Sequence, residues 1–583
     1  MERSSKHQTW VTALTAAVFI ISWAGFILTP LTGDLQVLLA GSRQADYLTG
    51  NWLVRSFRAW DMKGEFLRAF LYVLYRAATV FVPFGTAAFE RICNVLYSLL
   101  IVLTAALCVR VARGKRAEGS VLCTMGISAA FFATLPMTHI QAEMTGVLIL
   151  AFAFAIYWNA KRTEHGVLGK LFISGLLIGS LFFYKSILIL MSVAFVAAAM
   201  LWNGEYGKSL RIREFFTIVA GSVVMLAVGC GMIYVINPSE FQNMADAAVY
   251  QSTMLSGTLQ ISLLRIARNF GGVFFYMFLA CPVIMVGFLL AIRAFFFDLR
   301  ERRWFRCLLR LVLWGMPASI VIIAYCWFPY HHFSFVFSAL AEIILTREWE
   351  TLLLGEQSVE PRKAARFLLV CVLCGVILFV VQPRIDHMML PVLVCLYVAA
   401  VCGLELLGKK RLCTWMEVTL PLAAALAAYV VLLSPLSAYQ QDTVALNRAM
   451  YENNKSVQLE LEDGEEVLYL DAGSGAYLIG AKSYLPEYYP LPLERISEES
   501  PHRDRACHTR ALQRAMAYEG AYVIVSEGWF FENGRINHQI AGKLHAEYEK
   551  VGTMDSYSIE CWITGPEAAQ QMDHLDIYRR KSA

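Results

Sequence analysis

The sequence predicts an α-helical polytopic membrane protein of about thirteen transmembrane helices, followed by a small extracytoplasmic α/β domain. Three observations predict it. The chain is 57% hydrophobic and 16% charged, whereas soluble domains carry about 25% charged residues. Its basic residues crowd into every second loop between apolar runs. From residue 438 onward the apolar runs stop and the composition becomes that of a soluble domain.

Runs of roughly 20 apolar residues, enough to cross the hydrocarbon core, occur at 10–29, 90–111, 119–137, 143–160, 167–184, 186–203, 214–236, 271–292, 308–326, 331–346, 367–382, 387–407 and 414–435. The first follows a short basic leader at 1–9. It is longer than a signal-peptide core, and no small-residue cleavage site follows it, so it is expected to remain as a helix.

The loops fix an orientation. Arg110 to Arg116, Lys161-Arg162, Lys208 to Arg213, Arg293 to Arg306, Arg347 to Arg366 and Lys409 to Arg411 all fall inside if the N-terminus is inside. This is the pattern of an integral inner or plasma membrane protein with a cytoplasmic N-terminus. An odd number of spans then puts 438–583 outside. The membrane module is 10–437, with two long outer loops at 30–89 and 237–270.

In the first of these, Arg55 to Arg76 interleaves aromatic and basic residues at helical spacing, and it includes Lys63. That pattern predicts helices lying along the interface with their aromatic face in the headgroups. A further span there would bury Arg68 and Arg76, each costing about 2.5–3.5 kcal/mol at mid-bilayer. It would also invert every later loop.

In the polar region, Glu466 to Asp471 and Ala521 to Val525 read as strands, and Gln440 to Asn453 and Arg510 to Tyr518 as helices. Twelve of the fourteen cysteines lie from Cys93 to Cys413, in or beside apolar runs, and read as buried thiols. Cys507 and Cys561 are the two in the polar region. Outside the cytoplasm they are able to pair, a bridge contributing about 4 kcal/mol on the loop-closure account.

The net charge of +4, spread through short loops, excludes a nucleic-acid footprint. The polar residues of the outer turns are more informative. Asp34 follows the first span directly, and reads either as the N-cap of the stretch from Leu35 or as a general base that takes a proton from an attacking hydroxyl. His139 and Glu143 stand four apart where the chain re-enters the membrane. They read equally as solvated groups at a helix start and as ligands of a divalent metal such as Mg2+ or Mn2+.

Lys185, the Trp327 to His332 turn with Tyr330, His331 and His332, and the Gln382 to His387 turn with Arg384 and His387 read singly as interfacial anchors. Alternatively, they are donors to a phosphate. Taken together they predict a polar cavity on the outer face, because polar groups at a membrane mark functional cavities. Two motifs are set aside. Leu470 to Gly475 lacks the third glycine of a nucleotide loop, and Arg300 to Arg306 carries the charge that topology alone demands of an inner loop.

The aspartate after the first span, the long first outer loop, Glu143 at the second outer turn, Gly175 to Lys185, the Tyr330-His331-His332 and Arg384/His387 turns and the polar C-terminal domain resemble the GT-C superfamily of membrane glycosyltransferases. That superfamily includes protein O-mannosyltransferases and aminoarabinose transferases. The resemblance implies a polyprenyl-phosphate-linked sugar as donor and a lipid, glycan or protein as acceptor. It also implies an inverting hexosyl or pentosyl transfer with Asp34 as base and Glu143 as a second acid or metal-linked group. Lys63, His139, Lys185, Tyr330, His331, His332, Arg384 and His387 would bind substrate and phosphate. Asp34 is followed by Leu35 and not by the second acid many members carry, which weighs against direct metal ligation by that loop. A polyprenyl-diphosphate glycan ligase and a lipid-linked substrate transporter are the alternatives. The transporter would show repeated halves and broken mid-membrane helices, neither of which this sequence displays.

Overall fold

The computed structural model describes most of residues 31–58, and 64–113, 142–163, 165–185, 212–238, 295–312, 467–470, most of 513–526, 538–558 and 571–582, with isolated positions at 16–28, 124–140, 188–200 and 241. The described part is mostly helical. Two of its helices are long and apolar enough to cross a membrane, at Ala87–Cys108 and Ile212–Ile236.

After the first span the chain forms α1 (Gly33–Gln44), a 3-10 turn (Ala45–Tyr47), α2 (Trp52–Arg58) and α3 (Glu65–Thr79). In α1, Leu35, Leu38 and Leu39 recur at helical spacing and are buried. Asn51 caps α2 by accepting the Val54 backbone N–H at 2.9 Å. The buried stripe of α3 runs through Leu67, Leu71, Leu74, Tyr75 and Ala78. The aromatic face therefore points into the protein, with Tyr72 and Tyr75 each 5% exposed, and not into headgroups as the sequence pattern suggested. The physical reason is Asp46, which offers the two phenols a partner inside.

Four further helices follow: α4 (Ala87–Arg113), α5 (Ala142–Thr163), α6 (Val167–Ser180) and α7 (Ile212–Ile236). Thr86 caps α4, accepting the Phe89 N–H at 3.1 Å. α4 and α5 run parallel to each other, as do α6 and α7, and the two pairs point in opposite directions. At one end, Asn159 Nδ2 at the close of α5 donates to the Val111 carbonyl of α4 at 2.8 Å, and Lys161 pairs with Glu214 at the start of α7. At the other, Asn237 Nδ2 after α7 donates to the Phe57 carbonyl of α2 at 3.4 Å, and Phe57, Phe183 and Ile233 share a core.

α6 and α7 run parallel in close contact. A Cβ built on Gly175 would lie 2.2 Å from the Ile218 carbonyl oxygen, and one on Gly221 would lie 2.3 Å from that of Phe172. Only glycine lets the backbones meet, as in small-xxx-small packing between membrane helices. Ser222 Oγ then reaches across to the Gly175 carbonyl at 2.9 Å, and Ser174 Oγ ties α6 to Ala153 of α5 at 3.1 Å.

The polar region contains a four-stranded sheet of order β1-β2-β4-β3, from β1 (Val467–Leu470), β2 (Tyr522–Ser526), β3 (Tyr548–Ser558) and β4 (Gln571–Arg580). β1 pairs parallel with β2. The other ladders are antiparallel, with a bulge between Lys550 and Gly552. Because side chains alternate along strands, the sheet has two apolar faces. Leu468, Val523, Val525, Tyr548 and Tyr578 pack with Ala515, Tyr518 and helix α8 (His538–Glu547) through Ile540 and Leu544. Lys581 Nζ caps that helix by donating to the His545 carbonyl at 2.8 Å and the Ala546 carbonyl at 3.1 Å.

The opposite face, formed by Val467, Tyr522, Ile524, Met554, Leu575 and Ile577, joins the core built by Phe26, Leu35, Leu39, Leu71 and Tyr97. β3 lies directly against α1. Both faces are thereby covered, and the first loop and the C-terminal sheet share one side of the molecule. Met554→Ala removes a buried side chain, 3% exposed, from this junction. It is expected to cost about 2–5 kcal/mol and to make the C-terminal region separable by limited proteolysis of the purified full chain, which gel electrophoresis reads directly. The proposed Cys507–Cys561 pair lies outside the described residues. The described cysteines, Cys93, Cys108, Cys230 and Cys307, are free thiols.

Candidate functional site

The segment that leads from the first span to Asp34 is held by a polar ladder on α4. Glu90, Asn94 and Ser98 stand four residues apart on one face, the spacing that aligns side chains along a helix. Glu90 Oε2 accepts the Leu31 N–H at 3.2 Å. Asn94 Nδ2 donates to the Phe26 and Ile27 carbonyls at 3.4 and 3.5 Å, and Trp23 Nε1 donates to Ser98 Oγ at 2.8 Å. The last turn of the first span thus has its loose carbonyls and the following N–H met by side chains of a neighbouring helix. Glu90 is 4% exposed and Asn94 fully buried.

The far end of the same α1 segment is held as firmly. Asp46 accepts from Tyr72 Oη at 2.8 Å, Tyr75 Oη at 3.1 Å and Arg76 Nη1 at 3.1 Å, joining the 3-10 turn to α3. Burial first, then the Asp46 carboxylate, push both phenols above the ordinary tyrosine value, and the same carboxylate raises Arg76. Arg43, in the last turn of α1, lies over the Phe84 ring at 5.3 Å. The raised phenols contribute stability that is complete below about pH 10, the unfolded-state value, and is lost as pH climbs toward the folded-state value. Tyr75→Phe is expected to cost about 1.5 kcal/mol at neutral pH and to make the fall in thermal midpoint above about pH 10 shallower, as scans at increasing pH would show.

Asp34 is the second residue of α1 and Glu143 the second residue of α5, both in first turns, where the helix macrodipole favours negative charge. Asp34 is therefore inside its helix and not the residue before it. Lys185 is half-buried at the end of a 3-10 turn (Leu181–Phe183). Its N–H donates to the Leu181 carbonyl at 3.2 Å, and its own carbonyl accepts from Leu188 at 2.8 Å.

These three positions lie at one end of the bundle. Ile140 and Leu148, flanking the start of α5, share the core of Leu35 and Leu39 in α1. A Cβ on Gly146 would meet Leu188 at 2.7 Å, and one on Gly64, at the head of α3, would meet the Phe183 carbonyl oxygen at 1.9 Å. The Lys185 turn is thus wedged between α3 and α5. Lys63, His139, Tyr330, His331, His332, Arg384 and His387 lie outside the described residues.

Sequence reasoning missed the ladder and the Asp46 lock. It also missed the pair Glu65 and Arg68, 3.7 Å apart, both almost fully buried on α3. The i, i+4, i+8 spacing of Glu90, Asn94 and Ser98 at the head of an apolar run was the available signal. Among the described residues, no group of three His, Cys, Asp or Glu side chains gathers to hold a metal ion.

No family model matches the chain, and no curated protein matches it. Similar solved structures exist. ArnT from Cupriavidus metallidurans, solved bound to undecaprenyl phosphate, is 14% identical with a TM-score of 0.47, over 97% of this chain and 98% of its own. The Archaeoglobus fulgidus oligosaccharyltransferase AglB, solved with an inhibitory peptide and a dolichol-phosphate, is 12% identical with a TM-score of 0.31, over 90% of this chain and 70% of its own. The oligosaccharyltransferase of the same organism, solved with Zn and sulfate, is 13% identical with a TM-score of 0.28, over 88% and 68%. The chain is thus similar along almost its whole length to ArnT, and along most of it to an archaeal oligosaccharyltransferase.

Proposed function

We propose that this chain is a GT-C-type membrane glycosyltransferase that moves a sugar from a polyprenyl-phosphate donor to a lipid, glycan or protein acceptor on the outer face. The observation that carries the reading is the double fixing of α1. A helix whose approach is held by Glu90 and Asn94 and whose exit is held by Asp46 presents its first turn, with Asp34, at a set place on the side shared with the C-terminal sheet. Rigid placement is what a general base requires.

In this reading an acceptor hydroxyl loses its proton to Asp34 as its oxygen attacks the anomeric carbon. The bond to the phosphate oxygen breaks on the opposite face, and polyprenyl phosphate leaves. Lys185 is a phosphate contact, and Lys63, His331, His332, Tyr330, Arg384 and His387 complete the donor pocket. His139 and Glu143 are the candidates for a divalent metal, which dialysis against chelator followed by readdition of Mg2+ or Mn2+ would test. The thirteen-span topology with an inner N-terminus and an outer domain at 438–583 belongs to the same proposal.

The test is transfer of labelled sugar from synthetic polyprenyl-phosphate donors by the purified full chain, with Asp34→Asn beside it. Unchanged transfer in a folded Asp34→Asn protein would overturn the base assignment and favour a ligase with a basic site.

A further inference from the structure

The inner-loop arginines that topology alone accounts for in the sequence are organised in the structure. Residues 295–300 and 304–312 are helical and joined by a tight turn, in which Arg302 adopts φ 54°. Asp298, 2% exposed, sits at the base of the turn. It accepts from Arg310 Nε at 2.8 Å and has Arg306 at 3.7 Å and Arg303 at 3.9 Å. Arg303 in turn lies over the Phe297 ring at 5.7 Å.

One buried carboxylate thus gathers three guanidinium groups, while Arg300 and Arg302 stand exposed at the tip. Five arginines against Asp298 and Glu301 leave a net +3 over 295–312. Around this charge, large apolar side chains are turned outward. Phe296, Phe297, Trp304, Phe305, Leu308 and Leu311 are 54–66% exposed.

We infer that this hairpin is a binding site for an anionic phospholipid of the leaflet that the N-terminus faces. The surface is amphiphilic in the sense a lipid requires. Arginine donors suit a phosphate, aromatic rings suit the headgroup level, and the flanking leucines suit the acyl chains. A charge placed only to set topology needs no ordered shape. Here Asp298 restrains three of the five arginines, so that the cluster meets a headgroup pre-arranged and loses less side-chain freedom on binding.

The test uses the purified full chain in mixed bilayers of phosphatidylglycerol and phosphatidylcholine, with retained lipids counted by native mass spectrometry. The wild-type protein is expected to retain phosphatidylglycerol in preference. The double variant Arg300→Gln with Arg302→Asn spares the Asp298 contacts, and Asn accepts the left-handed backbone at 302. It is expected to cut that preference about twenty-five-fold, since each of the two basic residues at an anionic surface contributes a factor of about five.

Lys409→Gln with Lys410→Gln, in another inner loop, is expected to leave the preference largely intact. Equal retention of both lipids by the wild type would overturn the site. So would an undiminished preference in the arginine variant, or an equal loss in the lysine variant. If the arginine double variant does not fold, Arg302→Asn alone gives the same reading with about a fivefold change expected. Sugar transfer is not the readout, so failure here leaves the transferase proposal standing.

Discussion

Asp34→Asn is expected to lower sugar transfer by about 10²–10⁴, the loss that follows removal of a positioned general base, while costing the fold no more than a first-turn charge contributes, about 0.3–1 kcal/mol. The substitution keeps the size and shape of the side chain and removes its negative charge, and with it the ability to take a proton. Asp34 lies in the first turn of α1, whose described packing rests on Leu35, Leu38 and Leu39 and on the two clamps at its ends. Folding and activity should therefore separate. A single-turnover assay over a range of donor concentrations distinguishes a loss of proton transfer from a loss of binding, because the first lowers the rate constant and leaves the half-saturation concentration alone.

Gly175→Leu is expected to abolish the folded state. The first added carbon would sit 2.2 Å from the Ile218 carbonyl oxygen and 3.0 Å from Gly221 Cα, so two backbones must part. Overpacking of an ordinary core costs about 1–3 kcal/mol. Here the obstacle is main chain on both helices and cannot rotate away, so the cost exceeds that range, and the Ser222 bond to the Gly175 carbonyl is lost with it. Size-exclusion profiles in detergent should show aggregate in place of monodisperse protein. Gly169→Ala in the same helix is the control. Its new carbon meets nothing within 4 Å, and it should gain up to about 1 kcal/mol from the better helix former.

What the sequence disclosed follows the strength of each local signal. The apolar runs at 90–111, 143–160 and 214–236 anticipated α4, α5 and α7 to within three residues at each end, because a run of that length has few other uses. β1 and β2 were legible as short, dense apolar runs. β3 and β4 were not, since Tyr548–Ser558 mixes Glu, Lys, Gly, Asp and Ser and breaks its alternation at a bulge, and Gln571–Arg580 buries Asp576 against Lys550 at 2.6 Å.

The facing of α3 was misread for a reason outside its own residues. Tyr72 and Tyr75 turn inward because Asp46, some thirty positions earlier, meets them. Periodicity ranks faces by polarity and says nothing about a partner supplied from elsewhere. Glu90 was hidden likewise, counted as the first residue of a span when it is the acceptor that holds Leu31.

The shared core of Leu35, Leu39, Met554, Leu575 and Ile577 joins the two extremities of the polypeptide. During synthesis the first helices leave the ribosome long before β4 does, at about 5–20 residues per second, so roughly half a minute to two minutes pass before their last neighbours are made. For that interval α1 presents a bare greasy flank. The newborn chain therefore needs a shield for it, from the insertion machinery or a chaperone, and a ribosome stalled before residue 571 would yield a product that is begun but unfinished.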